Sequence, residues 1–450
     1  MNNKSLEHNI LFKKDGFISC SNLVVFAFAT AFFSRLLNTA GAPSAINFVH
    51  FICVPFVCLV TLFTSINTNK EVSKIVYLLI SGLFLLLIAI IVSALVNEAG
   101  IINALLSFML LAEPFVFLLS IIYLPLSLNK FIKTRKLLLS FFWIHLSLVF
   151  IQKYILRTDT WEWIGMEDAD RIQGAFFISG AGHVVGCSVS LTFGLYYLLK
   201  TKNPLWLRIL VFTAAIWNII IADGKQVLLT FLVAMILLFL IKLNDIVAAF
   251  KYIISGIIIG TIFWWCVQNI KAFAAFQTWI RPEIYGPDGE ATLLKGAAFR
   301  IIPTYYESML NWLFGLGPGH TVGRLGGWML QEYVDLLAPL GSTTHSASKA
   351  VWRAVGESWL GDQSSMFSPL FGWAGIWGDL GILGLAAYLY LAYVVWSYVC
   401  KNDLSKFFLL TVLVFGCIFS QMEEPDYMLS LACIIGIQYQ EYLIKNIRYK

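Results

Sequence analysis

Long apolar runs separated by short polar connections dominate the chain, a spacing much coarser than the period of a surface helix or strand. About 20 apolar residues cross roughly 30 Å of hydrocarbon as an α-helix. Runs that approach or reach this length stand at 17–37, 46–64, 74–96, 101–124, 137–156, 175–199, 205–222, 226–243, 246–268, 376–399, 406–422 and 427–443. The pattern predicts an all-α, polytopic integral membrane protein with about twelve transmembrane helices. It divides one membrane domain into 1–268, with nine helices, a connection over 269–375, and 376–450, with the last three.

The connection is the informative interruption. At about a hundred residues without low-complexity character, it is far longer than an ordinary loop and is the place to look for function. It carries Trp279, Trp312, Trp328, Trp352 and Trp359, together with Tyr285, Tyr305, Tyr306 and Tyr333. Apolar spacing over 298–314 and 325–337 predicts short helices resting on the bundle.

Composition sharpens the membrane assignment. The chain is 59% hydrophobic and 13% charged, and its net charge of +5 comes from basic residues clustered at the ends of apolar runs. That distribution orients helices and argues against a nucleic-acid partner. Most of the 31 basic residues fall in alternate short connections, Lys4, Lys13 and Lys14 included. The positive-inside rule then puts both termini on the cytoplasmic side of the membrane, and 157–174 and 269–375 outside. No small-residue cleavage site closes the first run, so it reads as an uncleaved helix. The cysteines lie in or beside apolar runs, which favours neither a disulfide framework nor a zinc site.

On the outer side the candidates for chemistry are first the cations Arg171, Lys225, Arg281, Arg300, Arg324, Lys349 and Arg353, since an anionic lipid headgroup needs Arg or Lys to hold it. A plain alternative for each is an interfacial anchor or an ion pair, such as Asp223 with Lys225. Arg300 precedes a turn containing Gly315, Gly317 and Gly319, whose N–H groups are able to face a common point with it, or else simply end a helix. No Lys-Ser or Lys-Thr follows, so the turn is not a nucleotide loop. His320 and His345 are the loop's histidines and candidate general bases, whereas His50, His145 and His183 fall in apolar runs and suit interhelical hydrogen bonding. Glu113, midway along its run, is a candidate by position and fits proton-coupled transport as well; Arg35 is read as a structural, snorkelling side chain.

Taken in order, several pieces resemble the O-antigen polymerase and O-antigen ligase superfamily. They are Arg171-Ile-Gln-Gly174, Lys225 at a helix start, Arg300 ahead of Gly315-Leu-Gly-Pro-Gly319, and Asp379-Leu-Gly381-Ile-Leu-Gly384 opening the tenth apolar run. The likeness spans roughly residues 165–400. Two departures stand out: Lys225 where the family commonly has arginine, and no histidine shortly before Asp379, His345 lying well upstream. The second favours polymerase over ligase. The resemblance implies glycosyl transfer from a polyprenyl-diphosphate donor to a lipid-linked repeat unit outside the membrane, with no metal and no nucleotide sugar. Arg300, Lys225 and Arg171 would stabilise the departing diphosphate, with Arg281, Arg324 and the glycine turn also binding substrate. His345, His320 or Glu307 would take the acceptor proton. A chain-length regulator and a flippase are implied partners. The competing readings are a ligase-like glycan transferase and a membrane transporter or flippase.

Overall fold

The computed structural model describes residues 19–161, 168–177, 181–242, 246–270, 273–279, 281–363 and 365–448; Lys4, Lys13 and Lys14 lie outside the described residues. No strand occurs among the described residues. The first part of the chain folds into α1 (Cys20–Phe32), α2 (Ser34–Thr39), α3 (His50–Thr64), α4 (Lys70–Val96), α5 (Ile101–Tyr123) and α6 (Leu128–Ile151). Then come α7 (Gly182–Lys200), α8 (Leu205–Ile221), α9 (Lys225–Ile241) and α10 (Ile246–Asn269). The long connection holds only short helices: α11 (Ala275–Trp279), α12 (Glu290–Lys295), α13 (Ala297–Ile301), α14 (Met309–Phe314), α15 (Leu330–Glu332), α16 (Val334–Leu337), α17 (Ser346–Gly356) and α18 (Trp359–Gln363). The chain ends with α19 (Gly372–Val394), α20 (Asp403–Phe415) and α21 (Pro425–Arg448).

By length and composition, six helical stretches are able to cross a membrane: Ser44–Thr64, Lys70–Val96, Ile101–Tyr123, Leu128–Leu156, Gly182–Lys200 and Gly372–Val399. Helices also occupy the other intervals expected from the apolar pattern. The outward faces of these elements are consistent with a lipid solvent. On α4, Phe84, Leu85, Ile88, Ile91 and Leu95 are exposed while Ile75, Leu79, Leu86 and Ile90 are fully buried. A continuous exposed apolar face of this kind is unstable in water and stable against hydrocarbon. Side-chain caps fix several starts: Asn69 accepts from the Glu71 N–H at 2.9 Å to begin α4, and Ser127 accepts from the Lys130 N–H to begin α6.

Helix α5 is the axle of the bundle. It is buried on nearly every side and packs against α3, α4 and α21. Part of the connection, residues 325–337, rests on it. Leu325, Met329, Leu330, Tyr333 and Leu337 pack on Phe51 of α3 and on Leu106 and Leu110 of α5. Asn103, near the start of α5, donates to the carbonyls of Pro318 and Thr343, each at 2.9 Å. The stretch 298–314 holds short helices: α13 passes into a 3-10 turn at Ile302–Tyr305 that contains Pro303, and α14 restarts behind the Ser308–Asn311 capping box.

Candidate functional site

The glycine turn and the start of α19, far apart in sequence, interlock through their backbones. Gly315 and Gly381 both have positive φ, +71° and +64°, a conformation that is costly with a Cβ. A Cβ on Gly315 would stand 2.4 Å from the Asp379 carbonyl carbon, and one on Gly381 the same distance from that of Leu313. Asp379 then closes the turn: its carboxylate accepts from the Gly319 N–H at 2.7 Å, the Thr321 N–H at 2.8 Å and the Thr321 hydroxyl at 2.6 Å. The Leu316 and Gly317 N–H groups donate to the carbonyls of Gly378 and Asp379. The turn's donors are thus directed inward, onto the protein's own carboxylate and carbonyls.

His320 follows this turn and is held at both nitrogens. Nδ1–H donates to the Leu316 carbonyl at 2.8 Å, so neutral Nε2 accepts from the Thr343 hydroxyl, also at 2.8 Å. The Thr343 oxygen accepts in turn from the Gly100 N–H. Burial lowers the His320 pKa below the usual histidine value, the Leu316 bond opposing it. His345 caps α17 by accepting from the Ala347 N–H at 3.1 Å and stacks on His320 with ring centroids 5.5 Å apart. Its pKa is also lowered by burial, with Glu307 countering.

A concentration of buried charge lies one turn further on, at Arg324. This side chain is 4% exposed, pairs with Glu424, and lays its guanidinium 4.6 Å from the centre of the Trp328 ring. Its N–H of the main chain donates to Glu423 at 2.9 Å. Burial first, and then the nearby Arg35 cation, pull the Arg324 pKa down to about 9, which leaves the guanidinium charged at neutral pH. Arg35 donates to the Tyr333 hydroxyl at 2.7 Å and is itself 9% exposed, so it does not snorkel to the surface as the sequence suggested. Beside them, His50 and Glu113 form a fully enclosed pair at 2.7 Å. Arg35, Asn47, His50, Arg324, Tyr333 and Asp426 line a common cavity of about 20 Å³. Arg324 Nε, Asn47 Oδ1, Glu113 Oε2 and Glu423 Oε1 are buried there or beside it without a hydrogen-bond partner. Buried polar atoms of this kind call for a partner inside the cavity, a water or a ligand oxygen.

The remaining candidates stand elsewhere. Arg171 is buried against the carbonyl of Asp159 at 3.0 Å and the carboxylate of Asp168 at 3.2 Å. Lys225 forms the anticipated pair with Asp223, at 2.6 Å, at the start of α9. Both belong to the end of the bundle at which α7 begins: the Arg171 turn contacts α7, and Gly224 packs on Cys187. His183, also there, faces Asp170 at 3.5 Å. Arg300 is exposed and turns back to the Leu293 carbonyl, and Arg281 is exposed ahead of a 3-10 turn. Neither reaches the cavity at Arg324, whose lining draws instead on α2, α3, α5 and α21.

Sequence reasoning named Arg324, Tyr333, Glu113, His50 and Arg35 separately but missed that they meet, and missed Asn47 and the acidic stretch beside them. The available signal was ionisable residues inside or at the edges of apolar runs, namely Arg35, His50, Glu113 and the acidic stretch Glu423-Glu424-Pro425-Asp426. Among the described residues no group of three or more His, Cys, Asp or Glu is placed to hold a metal ion. No family model matches this chain, and the curated proteins contain no match to it.

Proposed function

We propose that this chain is a polyprenyl-diphosphate-linked glycan polymerase of a bacterial inner membrane, with about twelve spans and its long connection outside. On this reading it transfers a growing glycan from its lipid diphosphate to a sugar hydroxyl of a second lipid-linked unit. The observation that carries the reading is the buried pair Arg324 and Arg35 beneath the aromatic-rich connection. Two guanidinium groups in one enclosed place repel each other, and Glu424 and Asp426 compensate that repulsion. The unpartnered Nε of Arg324 supplies a donor for an anionic oxygen, and a departing diphosphate develops charge that a preorganised cation stabilises. Trp328 and Tyr333 offer flat faces with polar edges suited to sugar rings.

A cavity of about 20 Å³ takes little more than one water. Entry of a diphosphate therefore requires the segment 325–337 to lift from α3 and α5. Arg300 and Arg281, exposed on the connection, suit the first capture of such a headgroup, and Arg171 and Lys225 a second lipid-linked unit at α7 and α9. Both nitrogens of His320 are engaged, and the basic Nδ1 of His345 accepts from the Ala347 N–H, so on this reading His345 takes a proton only by releasing its cap, and the exposed Glu307 near it is the alternative base. The test is a glycan gel from a strain lacking this protein. The reading expects loss of the long ladder with single repeats still attached to the final acceptor. Loss of all attached repeats would indicate a ligase, and an unchanged ladder would exclude both.

A transporter is the second reading, favoured by the enclosed His50–Glu113 pair close to Asp426. Paired ionisable groups inside a helical bundle are the usual parts of a proton relay. Proton uptake by reconstituted vesicles, abolished by Glu113→Gln while glycan ladders stay normal, would favour it over the polymerase.

A further inference from the structure

Helix α14 of the connection has its polarity reversed. A helix lying against a core in water buries its apolar stripe and turns its polar side chains outward. In Met309-Leu-Asn-Trp-Leu-Phe314 the one carboxamide, Asn311, is buried instead. It donates to the Asn97 side-chain oxygen at 2.9 Å and to the Gly315 carbonyl at 3.0 Å, and it accepts from the Glu307 and Ser308 N–H groups. Outward stand Met309, 78% exposed, and Leu310, Trp312 and Leu313, at 47%, 41% and 41%. Four apolar side chains turned outward from one short helix form a patch that water solvates poorly.

The elements packed against α14 fix its depth. It lies on α4 and α19, both long and apolar enough to cross a membrane. The stretch Gly372–Val399 has 28 residues, about 42 Å at 1.5 Å per residue, so when centred it extends about 6 Å past each face of a roughly 30 Å hydrocarbon core. Asp379 is about 10 Å from the start of that stretch, which puts it inside the boundary of the core. Helix α4 gives a similar level. Its 27 residues measure about 40 Å and overrun the core by about 5 Å at each end. Ser93, one turn before the end of α4, therefore falls at the boundary, and its hydroxyl donates to the Asp379 carbonyl at 2.8 Å. The backbone interlock passes this depth on to α14, since Gly315 meets Asp379 and Leu313 meets Gly381.

We propose that α14 is embedded in the leaflet on the side of the long connection, with Met309, Leu310, Trp312 and Leu313 against lipid acyl chains. The connection then re-enters the membrane at 309–315 instead of running wholly through water. Its surroundings match that level. The Trp312 ring lies 5.1 Å from that of Tyr306 and 6.3 Å from that of Trp377 on α19, and Phe299 stacks 5.2 Å from Trp377. Tryptophan and tyrosine gather in this way where hydrocarbon meets headgroups. The apolar patch also continues into the outward faces of the helices that hold it, Ile91 and Leu95 on α4 and Ile382 and Leu383 on α19, all exposed. That continuity favours lipid as the cover over a second copy of the chain. An interfacial helix of this kind sinks its apolar face about 5–10 Å below the headgroups.

The test uses the full chain in phosphatidylcholine proteoliposomes, with an aliphatic diazirine residue in place of Met309, of Leu313 or, as the control on the exposed side of the connection, of Asp335. Light expels nitrogen, and the carbene inserts into whatever touches it; peptide mass then tells a phospholipid adduct from a water adduct or a chain-to-chain link. Positions 309 and 313 should give mainly phospholipid adducts and position 335 mainly water adducts. Water adducts at 309 and 313 to the same extent as at 335 would overturn the proposal, and chain-to-chain links there would give the face to a second copy and equally defeat it. Wild type supplies a second measurement that needs no substitution. Hydrogen peroxide converts a water-facing methionine to its sulfoxide, so Met309 should oxidise more slowly in proteoliposomes than free methionine in the same sample. Equal rates would contradict the embedding.

Discussion

On the proposed reading Arg324 is the residue on which the chemistry turns, because its charge is buried, held by Glu424 and Trp328, and its Nε has no protein acceptor. Removing a preorganised electrostatic contact from a transition state costs about a hundredfold to a thousandfold in rate. Arg324→Ala should lower chain elongation per folded molecule by that amount, and Arg324→Lys should recover only part, since an ammonium lacks the planar fork. Arg300→Ala, assayed beside it, should have the smaller effect expected of an exposed capture residue. Equal elongation by Arg324→Ala and wild type at equal protein level would remove Arg324 from the site. Lys295 makes a separate prediction, about stability. Its ammonium donates to the carbonyls of Ser368 and Ile418, each at 2.9 Å, and lies 5.1 Å from the centre of the Phe371 ring. Burial pulls its pKa from 10.5 down to about 7. The folded value is the depressed one, so the unfolded chain binds the extra proton. The contribution to stability is fully present above 10.5 and is lost as pH falls toward 7. The melting temperature of wild type relative to Lys295→Met should therefore climb across that window; a difference independent of pH would contradict this.

At the level of elements, the interlock of α14 with α19 explains why two glycine-rich stretches belong to one device. Gly381→Ala should destabilise by at least about 1–2 kcal/mol from its left-handed backbone alone, with more from the 2.4 Å approach to Leu313. Thermal unfolding measures it, and an unchanged melting temperature would mean that the kink is not required. The Gly315 to Gly319 run and the Asp379 to Gly384 stretch were both legible in the sequence as separate signals. What the sequence could not disclose is that one clamps the other, because hydrogen bonds between residues some sixty positions apart leave no periodic trace. Helices were legible for the opposite reason, since hydrocarbon demands a long unbroken apolar run. Arg35 and Glu113 were visible as charges in apolar runs, but their partners are set by which helices pack around α5, and a single sequence does not encode that in any local pattern.

Across the whole molecule, a membrane-embedded helical bundle carries its aromatic-rich connection at one end. Charge is buried beneath the connection, where burial pushes the Glu423 carboxyl up to about 8, against the donation from the Arg324 N–H. The central claim is that this end transfers glycan between lipid-linked units, and the most direct measurement supplies those units and nothing else. Purified protein reconstituted in lipid nanodiscs, given polyprenyl-diphosphate-linked repeat units and a chelator, should convert single repeats into a ladder, without nucleotide and without added metal. Product that stays at single repeats under these conditions, while the same preparation keeps its folded melting transition, would contradict the account.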